Sequence, residues 1–150
     1  MVIFLTRIVN SVEINASPER VFSIVSDFER IPEWQPEFKK VWYTSEEKRK
    51  VGSSLRANAA VGGFKLDLGV TVTEWVENKR MAWRTTMGNA SGSGSITLEP
   101  AGAATKYTEV TEYSMPYSVL GKLIDRVRIR KAMERSYQAA IKNKKALAEK

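Results

Sequence analysis

The residues with the plainest capacity for chemistry are two arginines. Leu123, Met133, Tyr137 and Ile141 fall on one stripe at helical spacing, and the positions that fill its gap are Arg126 and Arg130. A guanidinium facing a closed core would be left uncompensated at a cost of several kcal/mol. The stripe must therefore meet a partner carboxylate, a wet cavity or the open edge of the fold. In the cavity case a guanidinium such as Arg126 would orient a carboxylate, enol or phosphate of a ligand. Leu120, Ile124 and Val127 lie about a quarter turn round, so the helix either packs on two sides there or bends near Arg128.

Acid–base chemistry has few carriers. The chain holds no His and no Cys, which removes imidazole catalysis, thiolate nucleophiles, disulfides and the usual zinc sites together. No cofactor and no metal is indicated. A base working near neutral pH would have to be a carboxylate or Lys with a shifted pKa, or a Tyr beside a cation. Glu74, Glu109 and Glu112 lie on strands, where exposed pairing is the ordinary role. A buried carboxylate within hydrogen-bonding reach of a pocket Tyr would favour an enzyme. Gly88, Gly92 and Gly94 come without the Lys of a phosphate-binding loop and open no helix, which argues against a nucleotide.

The elements that must position these groups read in a clear order. Ile8, Val12 and Ile14 alternate with polar neighbours as in a half-buried strand, with Asn10 on the same face. Ser17-Pro18 opens a short helix burying Val21, Phe22, Ile24 and Val25. Asp27 caps a second helix through Ile31, and Pro32 and Pro36 break the segment after it. Phe38 to Thr44 is a strand. The alternating runs Leu55–Val61 and Phe64–Val72 flank Gly62-Gly63, a hairpin signal because both glycines accept positive φ. Met81 and Trp83 face inward on the next strand. Gly88 to Gly94 is small and polar, and alternation resumes at Ile96 and Leu98. The last strand runs from Thr105 to Tyr113, with Tyr107, Thr111 and Tyr113 on one side. A long amphipathic helix comes next, from Tyr117 to Lys150.

Consecutive hairpins make an antiparallel sheet, and a sheet of this size with one helical partner must curl around it to bury its apolar face. The expected architecture is α+β, a curved sheet of about seven strands gripping the terminal helix, as one domain over residues 1–150. At 150 residues such a chain buries about 70% of its unfolded surface. A shell of this kind closes poorly at one end, so a concave apolar site is expected there.

The formal charge is +7, and its placement is uneven: residues 1–115 carry 14 basic and 14 acidic side chains, residues 116–150 carry 10 and 3. Arg128, Lys131, Arg135 and Lys142 form a basic stripe opposite the apolar one, either a solvated face or a surface for RNA, ribosome or an anionic membrane. No aromatic residues interleave these cations, and no specific nucleic-acid partner is expected. The longest apolar run, Met1 to Leu5, is too short for a membrane span and lacks the form of a signal peptide, so a soluble, cytoplasmic protein is expected.

Ala16-Ser17-Pro18-Glu19-Arg20-Val21-Phe22, with Ser26-Asp27-Phe28-Glu29 and Pro32-Glu33-Trp34-Gln35-Pro36, resembles the N-terminal pattern of the START-like superfamily, in particular its polyketide cyclase/dehydrase and lipid-transport branch. Val72-Thr73-Glu74-Trp75 before Lys79-Arg80, and Leu120-Gly121-Lys122-Leu123-Ile124-Asp125-Arg126, extend the likeness over nearly the whole chain. The resemblance implies a helix-grip fold with a deep, mostly apolar cavity between sheet and terminal helix. Carried over by position, Trp34 would sit near the mouth, Phe64, Leu66, Leu68, Trp83 and Tyr107 would be pocket or core residues of the strands, and Arg126 and Arg130 would come from the helix. The leading function is a binding or carrier protein for a small hydrophobic ligand such as a lipid, polyketide or isoprenoid. A cyclase or dehydratase-like enzyme and an interaction module docking through the basic helix are the alternatives.

Overall fold

In a computed structural model, which describes residues 3–88, 90–116 and 123–150 (backbone only for 3–4, 115–116 and 123–126), seven strands form one antiparallel sheet. They are β1 (Ile3–Ile14), β2 (Phe38–Tyr43), β3 (Ser54–Val61), β4 (Phe64–Val76), β5 (Arg80–Met87), β6 (Ala90–Ala101) and β7 (Ala104–Pro116). Their order is β1-β7-β6-β5-β4-β3-β2. Five hairpins make the run from β2 to β7, and the return of β7 beside β1 closes the order. Helices α1 (Pro18–Val25) and α2 (Ile31–Trp34) follow β1, and the long α3 (Leu123–Ala148) packs across the concave face. This is the expected helix-grip arrangement.

Local chemistry explains the joints. Ser17 Oγ accepts the Arg20 amide at 3.2 Å, which caps α1 as its sequence requires. Asp27 stands before a 3-10 turn, Phe28–Arg30, but makes no side-chain capping bond. Pro32 does not break the chain as expected: it sits in the first turn of α2, where its missing N–H leaves no bond unmade. Gly62 and Gly63 both take positive φ, +59° and +85°, in the β3–β4 turn, and the first packs so closely on α3 that a Cβ there would meet Ala132.

A register shift between Val72 and Glu74 re-aims the end of β4, so that Trp75 points inward. Its ring meets Phe22 and Phe28 edge-on at 5.4 and 6.2 Å. Arg49, held at φ 59°, lies over the same indole and donates to Ser26 Oγ at 2.8 Å. These contacts fasten α1 to the β2–β3 connection. β2 is an edge strand, irregular near Phe38 and bearing exposed Lys39 and Lys40, features that discourage pairing with another chain.

Two sequence expectations shift. β6 begins at Ala90, so the small residues Gly92 and Gly94 belong to a strand rather than to a loop. Val127 is 45% exposed, so the apolar arc of α3 does not extend to it; residues 117–122 and the side chain of Ile124 lie outside the described residues. Arg128, Lys131, Arg135 and Lys142 are all exposed. No helix among the described residues is long and apolar enough to cross a membrane.

Candidate functional site

The inner face of a sheet and the buried face of a helix ordinarily interdigitate. Here they leave a cavity of about 150 Å³, room for a small organic molecule rather than for one or two waters. On the helix side it runs from Met133 to Lys144, about 16 Å at 1.5 Å per residue. The sheet side is mostly apolar, with Val41, Leu55, Leu66, Leu68, Trp83 and Ile96 along it, and carries polar residues on β5 to β7, among them Thr85, Ser93, Glu109 and Thr111.

Two glycines let neighbouring side chains of the cavity wall lie close against the sheet. Gly92 and Gly94 alternate with exposed serines on β6 and occupy inward positions. A Cβ on Gly94 would sit within contact distance of the Trp83 indole, and one on Gly92 would press on the Thr85 hydroxyl. Gly94→Ala is therefore expected to displace a rigid ring and destabilise the protein by about 1–3 kcal/mol. Denaturant melts with Trp emission check this; an unchanged midpoint would show that Trp83 has space elsewhere.

The polar chemistry of the cavity centres on Glu109 and Lys144. Glu109 follows Tyr107 by two residues on β7, so both point inward. Lys144 stands one helical repeat of seven after Tyr137 on α3. The Lys144 ammonium donates to Glu109 Oε2 at 2.6 Å and to the Tyr107 hydroxyl at 2.8 Å, and Tyr107 donates to Glu109 Oε2 as well. The Lys144 and Glu109 side chains are only 6% and 4% exposed. Burial, then the neighbouring Glu109 charge, pushes the Tyr107 hydroxyl well above the usual phenol range, and the same two causes in the same order raise Tyr137. Both tyrosines therefore keep their protons at neutral pH. Gln35 Nε2 donates to Ser136 Oγ at 2.9 Å, and Asn143 Nδ2 to the Trp34 carbonyl at 2.9 Å, which ties α2 to α3 along the cavity wall.

The residues singled out in the sequence distribute unevenly around this space. Leu66, Leu68, Trp83 and Trp34 line it. Trp34 is 1% exposed, so it belongs to the wall and not to a mouth. Tyr107 is fully buried behind the lining and reaches the polar cluster through its hydroxyl. Phe64 packs instead beside Ile129 and Met133, under the Arg128 guanidinium. Arg130 is turned outward and paired with Glu134 at 3.1 Å, because its position on α3 falls beside the buried Ile129 rather than over the cavity. The side chain of Arg126 lies outside the described residues.

Sequence reasoning names Glu109 but expects exposed pairing for it, whereas it is buried, and it does not single out Lys144. Strand parity with Tyr107 points Glu109 inward, and Lys144 continues the stripe of Met133, Tyr137 and Ile141. Both signals are outweighed by the general rarity of buried charge.

A curved seven-stranded sheet closed on a long C-terminal helix, with short helices after the first strand and a hollow between, defines a START-like helix-grip protein. The chain belongs to the polyketide cyclase / dehydrase and lipid transport family, whose model matches residues 6–149. No curated protein matches it. Among solved structures it is similar to TTHA0849 from Thermus thermophilus, at 19% identity and TM-score 0.80 over 95% of this chain and 97% of that one. It is similar also to the Zhui aromatase/cyclase from Streptomyces sp. R1128, at 18% identity and TM-score 0.81 over 97% and 94%. A START superfamily protein from Mycobacterium smegmatis is 25% identical, with TM-score 0.63 over 88% and 97%.

Proposed function

We propose that the protein binds a small, largely apolar organic molecule in the cavity between the sheet and α3, with the ligand's polar group toward Glu109, Tyr137 and Lys144. The observation that supports this best is the cavity itself, mostly apolar along its walls with a buried charged pair set into them. Burial of apolar ligand surface would supply affinity at about 25 cal/mol per Å². Trp34, Leu66, Leu68 and Trp83 would form the contact surface, and Arg126 keeps a proposed role that Arg126→Ala tests.

Trp34 and Trp83 both border the cavity, so their emission reports occupancy. Titration with panels of lipids, aromatic polyketides and isoprenoids is expected to give saturable quenching with at least one class, and Leu68→Trp, which fills the space, is expected to abolish it. No saturable response to any class would overturn the proposal.

A second reading, a cyclase or dehydratase-like enzyme, is supported by the buried Glu109 carboxylate within hydrogen-bonding reach of Tyr107. Glu109 would take a proton and Tyr137 would return one. Chromatography with mass spectrometry of the ligand before and after incubation separates the readings: an unaltered compound fits a carrier, an isomer of the same mass fits a cyclase, and loss of water fits a dehydratase.

A further inference from the structure

We infer that the cavity selects ligands whose polar group is uncharged, a hydroxyl or a carbonyl, and rejects the matching carboxylates. The inference rests on the proposed binding function and names its ligand class. Three charged residues are described along the cavity: Glu109, Glu112 and Lys144. The Glu112 side chain leaves it, pairing with Arg7 at 3.4 Å where both are substantially exposed. The two charges that face inward neutralise each other at 2.6 Å.

An arriving carboxylate would thus find the described cation already paired, and a second carboxylate beside it. Away from water that repulsion is poorly screened, and a buried anion without its own counter-charge is costly. An uncharged group meets the opposite situation. Both described bonds to Glu109 fall on Oε2, so Oε1 retains acceptor capacity for a ligand hydroxyl. Lys144 has three N–H donors and uses two of them here. The Tyr137 hydroxyl, which keeps its proton, can donate to a ligand carbonyl. The proposed role of Arg126 is separate from this pair, since its place on α3 lies about 27 Å along the helix axis from Lys144.

The test compares probes of one shape. The native chain is titrated at pH 7 with 1-naphthalenemethanol, 1-naphthaldehyde and 1-naphthoate by calorimetry. The two uncharged probes are expected to bind at least tenfold more tightly than the carboxylate, about 1.4 kcal/mol or more. In Glu109→Gln, which frees the Lys144 charge, the preference is expected to vanish or reverse. Should that variant fail to fold by circular dichroism, Glu109→Gln/Lys144→Gln removes both charges and is expected to narrow the gap. Carboxylate binding as tight as alcohol binding in the native chain overturns the selectivity and leaves the binding function standing. A preference unchanged in the variants overturns its assignment to Glu109. Absence of binding by all three probes overturns the inference, while binding elsewhere in the wider ligand panel would still uphold the cavity's function.

Discussion

Lys144→Met is expected to lower unfolding free energy by about 3–5 kcal/mol, whereas Lys144→Met/Glu109→Leu should recover most of that loss. The asymmetry follows from burial. With the lysine removed, Glu109 keeps its charge, or takes up a proton at a free-energy cost, in a site only 4% exposed. With both removed, the two apolar side chains fill similar volume and nothing charged remains behind. The Tyr107 hydroxyl, bonded to both partners, loses them in the double variant, so recovery should stop short of the native value by about 1 kcal/mol or more. For a chain of this size the single change corresponds to a fall in Tm of about 6–20 °C. Urea melts of the native protein, both single variants and the double variant complete the cycle. A double variant no more stable than Lys144→Met would show that the pair is not coupled in this way.

The second large effect concerns Trp34. Trp34→Ala is expected to cost about 3–5 kcal/mol, the range for removing a fully buried aromatic side chain. The residue is 1% exposed and among the largest fully buried side chains, and its backbone carbonyl anchors Asn143 of α3. The void left by the indole would join the cavity, so the variant should also accept bulkier ligands than the native protein. Trp42 supplies the control: it lies on edge strand β2 with the Lys40 ammonium 4.9 Å from its ring centroid and is incompletely buried. Trp42→Ala should cost clearly less. Equal losses at the two positions in a denaturant melt would contradict the placing of Trp34 in the interior that supports the fold.

The residues behind these two effects differ in how far the sequence reveals them. Trp34 stands out through the pattern Pro32-Glu33-Trp34-Gln35-Pro36, and only its depth differs from the place near the mouth that the family resemblance implies. Pro32 in fact begins a helical turn, which carries Trp34 under α3. Glu109 and Lys144 are legible only as positions of the right parity, since a single strand or helix shows which way a side chain points but not what it meets. Arg130 shows the converse. Its spacing satisfies the stripe, yet α3 rolls so that Ile129 takes the inward place and Arg130 finds Glu134 one turn along.

The sequence by itself determined the order of the elements, because alternation, the Ser17-Pro18 start and the Gly62-Gly63 turn are local signals that need no partner to act. It determined equally that imidazole and thiol chemistry are excluded. Only the tertiary structure decided that inward residues leave a hollow, with the Trp83 indole of its wall lying over Gly94, where a side chain would collide with it. It alone brought Lys144 to a glutamate 35 residues earlier in the chain. Volume and charge compensation are properties of surfaces brought together from distant parts of the chain, so no local pattern encodes them.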